Sequence, residues 1–432
     1  MDEALSRRLL DFLNTSPTCY HAADNLARRL TEQGYMRLWE HEPWDLTPGG
    51  RYFVLRGDAA LAAFRLPRQR AVGFMAAAAH GDSPTFKIRQ QAEAAPAGGL
   101  KRLSVEPYGG MISRSWLDRP LSVAGRVVVR TEDGLAVRLV NVDRDLLVIP
   151  SVAIHLDREV NKGTALKANT DLLPILGGEK SKNFTEIVAA SLGISAENVV
   201  ATDLFLYPRT PASLLGAEEE LVGGARLDDL QCAFGCFEGF LQAEESASVP
   251  LFCLFDHEEV GSGSRQGADS TFLQDVTGRI CERMGWELPQ LTANSFLVSA
   301  DNAHALHPAH PEYADKNEYP VVNGGVVVKY NANQKYTTDA VSGAVFLEMC
   351  REAGVLVQRY SNRADLPGGS TLGNISTAHF SVPSVDIGLA QLAMHAAYEV
   401  SGAADTESLA RIMTYYFGRS LHVGAGGVIS WD

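Results

Sequence analysis

Residues 251–259 read LFCLFDHEE, five apolar residues followed by four polar ones. The apolar run is typical of a buried β-strand, and the polar residues follow it directly. A second stretch has the same form, because the small-residue apolar run over 71–79 ends at His80 and Asp82 follows shortly after. In an open α/β sheet, ligands bind beyond the carboxyl ends of the strands. The two stretches therefore predict an α/β sheet with a polar site at one edge.

Strands and helices alternate along most of the remaining chain. Further strands are predicted over 296–300, 321–330 and 382–388, and helices over 227–241, 339–350 and 405–417. Asp405 is expected to cap the last of these helices. Such alternation predicts a three-layer α/β/α domain whose sheet is covered by helices on both faces.

Between residues 93 and 224 the pattern changes to short alternating strands. A turn-rich stretch over 94–99 precedes predicted strands over 121–130, 135–142 and 146–149. We therefore expect an inserted, mainly β domain over 93–224, and a discontinuous α/β domain formed by 1–92 and 225–432.

The composition restricts the class of partner. The chain has 432 residues and a formal net charge of −14. An acidic protein is a poor partner for nucleic acid or for an anionic membrane surface. The first residues lack the pattern of a signal peptide, and the apolar runs are shorter than a membrane span. The six cysteines show no CxxC spacing, so we expect reduced, buried thiols and a cytoplasmic protein.

Three more polar residues lie where they could join the site at the sheet edge. Asp301 directly follows the strand over 296–300, His395 comes shortly after the strand over 382–388, and Asp228 opens a helix. Each has a plain structural explanation, such as a helix cap for Asp228. Clustered carboxylates repel one another, however, and a bound cation is the usual compensation. Imidazole and carboxylate ligands together suit zinc.

The number of ligands fits two cations that share one carboxylate. The sequence offers that count, with one imidazole and one further carboxylate for each cation from His80, Asp301, Glu259 and His395, and with Asp228 as the bridge. Glu258 is then free to take a proton from a bound water. Asp82 is suited to accept the N–H of His80 that faces away from the metal.

With these residues in place, the sequence resembles the aspartyl aminopeptidases of the M18 metallopeptidase family over essentially its whole length. The resemblance is carried by nine motifs: SPT (16–18), HGDSP (80–84), IHL (154–156), RLDD (226–229), DHEEVGS (256–262), SADNAH (299–304), KYN (329–331), GGSTLG (368–373) and MH (394–395).

The resemblance implies a metal-dependent aminopeptidase that removes Asp or Glu from the N-termini of peptides. It implies two divalent cations per chain, with zinc as the expected metal and cobalt or manganese as alternatives. The ligands would be the five residues named above, with Glu258 as general base. It also implies subunit contacts through the inserted domain, with a dimer as building block and a tetrahedral dodecamer as the assembly. Related two-metal hydrolases further lead us to expect a cis peptide bond after Asp228.

Several substrate contacts are also implied. Lys329 is the candidate cation for the acidic side chain of the substrate, and His155 and His304 are candidates to stabilise the oxyanion. His155 would be supplied to the site by a neighbouring subunit. The remaining candidates lie in the glycine-rich loop: Gly369, Ser370 and Thr371. The sequence departs from the family at Asn374, where proline is expected.

Three rival interpretations stay open. One is a related two-metal aminopeptidase or amidohydrolase of different specificity, from which the motifs around His155 and Lys329 distinguish this chain. The others are a non-catalytic assembly protein on the same scaffold and a metal-storage protein. The complete ligand set and Glu258 argue against the assembly protein, and a storage protein would need neither Glu258 nor the loop at Gly368.

Overall fold

The computed structural model describes residues 2–163, 165–366 and 368–432, and within these ranges we number helices and strands in chain order. None of the helices in these ranges combines the length and apolarity that crossing a bilayer requires. The α-helices are α1 (Glu3–Thr15), α2 (Cys19–Glu32), α3 (Phe184–Ser191), α4 (Leu227–Gln242), α5 (Phe272–Met284), α6 (Leu288–Thr292), α7 (Ala340–Ala353), α8 (Leu372–Ser376) and α9 (Ala403–Phe417).

A nine-stranded sheet forms the centre of the molecule. Its strands, in spatial order, are β1 (Met36–Leu38), β2 (Arg51–Arg56), β3 (Ala60–Arg65), β13 (Val249–Phe255), β4 (Phe74–His80), β14 (Phe296–Ala300), β18 (Ser384–Gly388), β16 (Val326–Tyr330) and β17 (Val357–Ser361). The neighbours β13, β4, β14 and β18 are mutually parallel, so their carboxyl ends meet at one edge.

Helices cover both faces of this sheet, as the three-layer α/β/α prediction requires, and the fold class is confirmed. One apolar cluster joins the sheet to α1, α2, α4, α7 and α9, and a second joins its other face to α5, α6 and α8. The buried hydroxyl of Tyr416 in α9 donates to the carbonyls of Ala76 and Phe296, at 2.9 and 2.8 Å. These bonds satisfy a polar group that would otherwise be costly to bury.

A six-stranded sheet stands beside the central one and has a core of its own. Its spatial order is β8 (Gly134–Asn141), β7 (Leu121–Thr131), β10 (Val199–Pro208), β5 (Thr85–Ala97), β6 (Leu100–Tyr108) and β9 (Ile175–Gly178), with antiparallel neighbours throughout. Two expectations were wrong here. The stretch 94–99 is mostly strand, with a turn only at Gly98 and Gly99, and within 146–149 only Leu147 and Val148 form isolated bridges.

Five very short strands form a third sheet, which the sequence did not predict. In spatial order they are β11 (Ser213–Leu215), β12 (Leu221–Gly224), β20 (Glu399–Gly402), β19 (Ala390–Leu392) and β15 (Ala303–His304). A final hairpin pairs β21 (Leu421–Val423) with β22 (Ile429–Trp431). None of these strands exceeds four residues, which is the shortest run over which apolar and polar alternation can be recognised.

The expected cap at Asp405 was wrong. Helix α9 begins at Ala403, and Asp405 lies buried in its first turn. Its carboxylate accepts the backbone N–H of Asn323 at 2.7 Å and of Gly325 at 2.8 Å. Asp405 thus stabilises the loop before β16 rather than the start of its own helix.

Candidate metal centre

Five predicted ligands meet at the carboxyl edge of the central sheet. His80 is the last residue of β4, and Asp301 follows β14. Glu259 lies in a short 3₁₀ turn after β13, and Asp228 in the first turn of α4. His395 lies between β19 and β20 of the third sheet. The central sheet, helix α4 and the third sheet therefore jointly supply one cluster.

Asp228 lies between the two histidines. Its Oδ1 is 3.4 Å from Nε2 of His80, and its Oδ2 is 3.4 Å from Nε2 of His395. The same Nε2 of His395 is 3.4 Å from Oε2 of Glu259. Each oxygen of one carboxylate thus faces a different imidazole, which is the arrangement that a bridging ligand between two cations needs.

The spacing of these atoms fits metal ions. Two ligand atoms that each lie about 2.0–2.1 Å from a tetrahedral zinc are about 3.3 Å apart. Asp228 belongs to two groups whose ligand atoms lie within 4.8 Å of one another, one with His80 and Glu259 and one with Asp229 and Asp301. Among the described residues, Oδ1 of Asp228 and Oε1 of Glu259 are buried without a hydrogen-bond partner. Such orphaned oxygens suit a cation.

The electrostatics of the cluster point the same way. Burial raises the pKa of Glu259 well above its ordinary value, and the charge of Asp228 adds to this. Burial also raises the pKa of Glu258 to about 8; nearby Asp301 adds to the rise, while His80 opposes it. Burial opposes ionisation of Asp228 too, but the adjacent His395 and His80 hold its pKa below the ordinary value. Ionising all these carboxylates requires a compensating positive charge.

Hydrogen bonds turn both imidazole rings toward Asp228. Nδ1 of His80 is 3.1 Å from the backbone carbonyl of Asp82, and Nδ1 of His395 is 2.7 Å from that of Gly110. A carbonyl can only accept, so each Nδ1 carries a proton and each Nε2 faces the cluster, where its lone pair can bind a cation once Nε2 is deprotonated.

Asp82 makes contacts beyond the predicted one with the imidazole of His80. Its carboxylate lies 3.4 Å from Nδ1 of His80, farther than its own carbonyl. Its oxygens accept the backbone N–H of Glu258 at 3.1 Å and of Glu259 at 3.2 Å, and the hydroxyl of Tyr108 at 2.6 Å. Asp82 therefore holds the turn that presents both glutamates.

The peptide bond between Asp228 and Asp229 is cis, as expected. Asp229, to which sequence reasoning gave no role, accepts the backbone N–H of His80 at 3.1 Å.

Lys329 and His304 lie close to the cluster in different environments. Lys329 is only 2% exposed; its Nζ donates to the carbonyl of Asn302 at 2.9 Å and is 3.6 Å from Oδ1 of Asp301. His304 is exposed, and its ring centre is 6.2 Å from that of Tyr360. Lys329 thus lies beneath the surface as the ion-pair partner of a predicted ligand.

The glycine-rich loop is fastened to the sheet by Thr371. Its hydroxyl donates to Oδ1 of buried Asp386 at 2.6 Å. Ser370 donates to Oδ1 of Asn374 at 3.0 Å, and nothing lies within 4 Å of the Cβ position of Gly369 among the described residues. The residue that departs from the family, Asn374, therefore makes a bond within the loop that proline could not.

His155 is not brought to the metal cluster of its own chain. It lies exposed in a turn of the segment between β8 and β9, without a hydrogen bond or ion pair to the residues that the structure describes. Its role across subunits stays a prediction.

Sequence reasoning also missed Gly110 and Glu399, which hold the cluster from outside. Glu399 accepts the backbone N–H of His395 at 2.7 Å and of Asp228 at 3.2 Å. No motif signals either residue, because the contact from Gly110 to His395 joins positions 285 residues apart.

Comparison with known proteins identifies the family of this chain. The profile of the family described as "Aminopeptidase I zinc metalloprotease (M18)" matches residues 12–417. The probable M18 family aminopeptidase 2 of Clostridium acetobutylicum is 40% identical over 93% of this chain and 95% of its own. A chain from the cryo-EM structure of the Ape4 and Nbr1 complex is 36% identical, with a TM-score of 0.92 over 96% of this chain and 86% of its own. The S. cerevisiae mApe1 dodecamer is 26% identical, with a TM-score of 0.84 over 95% and 96%.

Proposed function

Because this chain belongs to the M18 family of zinc metallo-aminopeptidases, we propose that it uses two divalent cations to remove Asp or Glu from the N-termini of peptides. The two-cation centre rests on one observation above the others, the Asp228 carboxylate between the Nε2 atoms of His80 and His395. His80 and Asp301 would hold one cation, and Glu259 and His395 the other. Zinc fits this donor set, and cobalt or manganese are alternatives.

Glu258 is the proposed general base. When bound, the cations would polarise the scissile carbonyl and supply an activated water nucleophile. The Glu258 carboxylate lies beside the cluster, and the backbone N–H of Glu258 donates to the carboxylate of Asp82 at 3.1 Å. Glu258 would accept a proton from the attacking water and return it to the nitrogen of the leaving amine. His304, exposed at the edge of the same site, is the candidate to stabilise the oxyanion.

The preference for an acidic residue is proposed to depend on Lys329. Burial opposes its charge, but Asp301 holds the pKa of its ammonium group above the ordinary value, so it stays positive. A buried cation is the feature that attracts a carboxylate to an otherwise negative site. Gly369, Ser370 and Thr371 would form the adjoining wall of the substrate pocket.

The proposed assembly is a homo-oligomer built from dimers, as the dodecamer of mApe1 suggests. The strands between Thr85 and Pro208 would provide its subunit contacts, and His155 would reach the site of a neighbour. Exposed Val152, Ile154 and Leu156 around it support an interface, because apolar patches of this kind mark protein contacts.

Paired aminoacyl substrates test the specificity. Asp and Asn substrates, like Glu and Gln substrates, differ in charge and hardly in shape. Protein loaded with zinc, cobalt or manganese should cleave the acidic member of each pair at least about 10-fold faster, because a hydrogen bond to a charged group contributes about 1.5–3 kcal/mol and about 1.4 kcal/mol is a factor of ten. Equal rates on acidic, amide, Ala and Leu substrates would indicate a broad aminopeptidase instead. Metal binding without hydrolysis of any of them would indicate a non-catalytic relative.

A further inference from the structure

Three consecutive residues at the end of β6 each touch a different group of the candidate metal centre. They are Tyr108, the last residue of β6, and Gly109 and Gly110, which follow it directly, so they continue a strand of the six-stranded sheet rather than one of the sheet that carries most of the ligands. We call this tripeptide the β6 clamp.

Tyr108 contacts Asp82 from outside the centre. Its hydroxyl donates to Oδ2 of Asp82 at 2.6 Å. The same carboxylate accepts the backbone N–H of Glu258 and Glu259. Hydrogen bonds to a charged acceptor are short and strong, so this bond fixes how the carboxylate meets the turn.

Gly109 lies against Glu259 and leaves little room for a side chain. Its φ of +70° lies in the left-handed region that favours glycine. A Cβ there would lie 3.1 Å from Cβ of Glu259, and 3.4 Å from both the Glu259 carbonyl oxygen and Cα of Pro84. Glycine at this position thus lets the backbone of one sheet pack directly on a predicted ligand of the other.

Gly110 and the residues after it hold His395. Gly110 accepts from Nδ1 at 2.7 Å, and the N–H of Ile112 donates to the His395 carbonyl at 3.0 Å. His395 has a φ of +68°, which is uncommon for a residue other than glycine. Ser115 extends the contact, since its hydroxyl oxygen accepts the N–H of Ala397 at 2.9 Å.

We propose that the β6 clamp is the positioning element of the metal centre, through which the six-stranded sheet sets the geometry of Asp82, Glu259 and His395. The inference rests on the proposed metal centre. It adds that cation affinity depends on a segment that contributes no ligand. A shift of the six-stranded sheet relative to the central one would therefore change cation affinity directly.

Two pairs of variants test the clamp. Tyr108→Phe removes one hydroxyl, and Tyr207→Phe removes a comparable one that donates to Asn141 at 2.7 Å in the same sheet. Gly109→Ala adds a Cβ against Glu259. Gly99→Ala adds one at a similar φ of +74°, at the other end of β6, with nothing within 4 Å among the described residues.

Zinc affinity, measured by competition with a chromophoric chelator, is the first readout, and the visible spectrum of the cobalt-loaded protein is the second. Tyr108→Phe and Gly109→Ala should each weaken zinc binding about 10- to 100-fold and change the cobalt spectrum, because changes to the residues that position metal ligands typically have effects of this size. Tyr207→Phe and Gly99→Ala should match the wild type in both. Thermal melting of the metal-free proteins checks that each variant folds. If Gly109→Ala does not fold, the zinc affinity and cobalt spectrum of Tyr108→Phe alone test the proposal.

Wild-type affinity and spectrum in both clamp variants would overturn the proposal. So would an equal loss in the control variants, because the effect would then be general destabilisation. The proposed metal centre fails in a different way: the wild-type protein would then bind fewer than two zinc ions, and His80→Ala and His395→Ala would leave binding unchanged.

Discussion

Glu258 and Glu259 are neighbours in the chain, yet their carboxylates have different surroundings. Glu259 has an oxygen 3.4 Å from the imidazole of His395, whereas Glu258 is near the cluster without a comparable histidine contact among the described residues. One position is therefore suited to hold a cation and the other to exchange protons.

Glu258→Gln tests this division of roles. The variant keeps the size and polarity of the side chain but cannot accept a proton, so turnover should fall by about 10²–10⁴-fold. Its zinc content should remain at two ions per chain. Glu259→Gln is the matched control, and it should lose zinc as well as activity. Steady-state kinetics with metal analysis distinguishes the cases, and near wild-type turnover in Glu258→Gln would exclude it as the base.

At the scale of elements, the ligand-bearing strands could be predicted because composition and position agree. The apolar runs that became β4 and β13 are long enough to identify, and each ends at polar residues. The parallel arrangement then brings those ends together without further information. This is why His80 and Glu259 could be placed at one edge from sequence alone.

The elements that sequence reasoning missed have a common physical cause. β15 and β19 have two and three residues, so neither shows a period, although His304 lies in one and His395 just after the other. The β6 clamp makes tertiary contacts between segments far apart in the chain, and so does Asp405, whose hydrogen-bond partners lie in the loop before β16. Local pattern carries no signal for contacts of this kind.

The glycine-rich loop provides a prediction at this scale. Asp386 accepts the hydroxyl of Thr371 on one oxygen and the N–H and hydroxyl of Thr337 on the other, at 2.6–2.7 Å, and so ties two loops to β18. Thr371→Val removes one hydroxyl at constant shape and should cost about 1.5–3 kcal/mol, as bonds to charged groups do.

In Thr371→Val, KM should rise more than kcat falls and zinc content should be unchanged, because the loop is proposed to contact substrate and not metal. Thr371→Ser, which keeps the hydroxyl, should behave like the wild type in urea unfolding and in kinetics. Unchanged stability in the valine variant would show that the bond does not hold the loop.

At the scale of the whole molecule, charge raises a problem that assembly can solve. The chain carries a formal charge of −14 and is proposed to bind acidic peptides, so each site needs nearby positive groups. Within one chain the described residues offer Lys329, which is already paired with Asp301. An additional donor from a second subunit would complete such a site, and His155 is the candidate.

The segment around His155 supports a contact between subunits. Leu156 is 83% exposed, and Val152 and Ile154 are exposed beside it. Apolar side chains left in water next to an unpaired histidine are best explained by burial against another protein surface. A monomer would then have an incomplete site, and each site would combine Glu258 of one subunit with His155 of another.

Mixing two inactive variants tests this directly. Glu258→Gln subunits supply an intact His155, and His155→Phe subunits supply an intact Glu258. Co-assembled oligomers should recover part of the wild-type activity, because some interfaces join the two intact residues in one site, while each variant alone stays inactive. Glu258→Gln mixed with a Glu258→Gln, His155→Phe double variant is the matched control and should recover nothing, because no site in it contains an intact base. If mixed oligomers form and activity does not return, or if a stable monomer is fully active, His155 does not act across subunits.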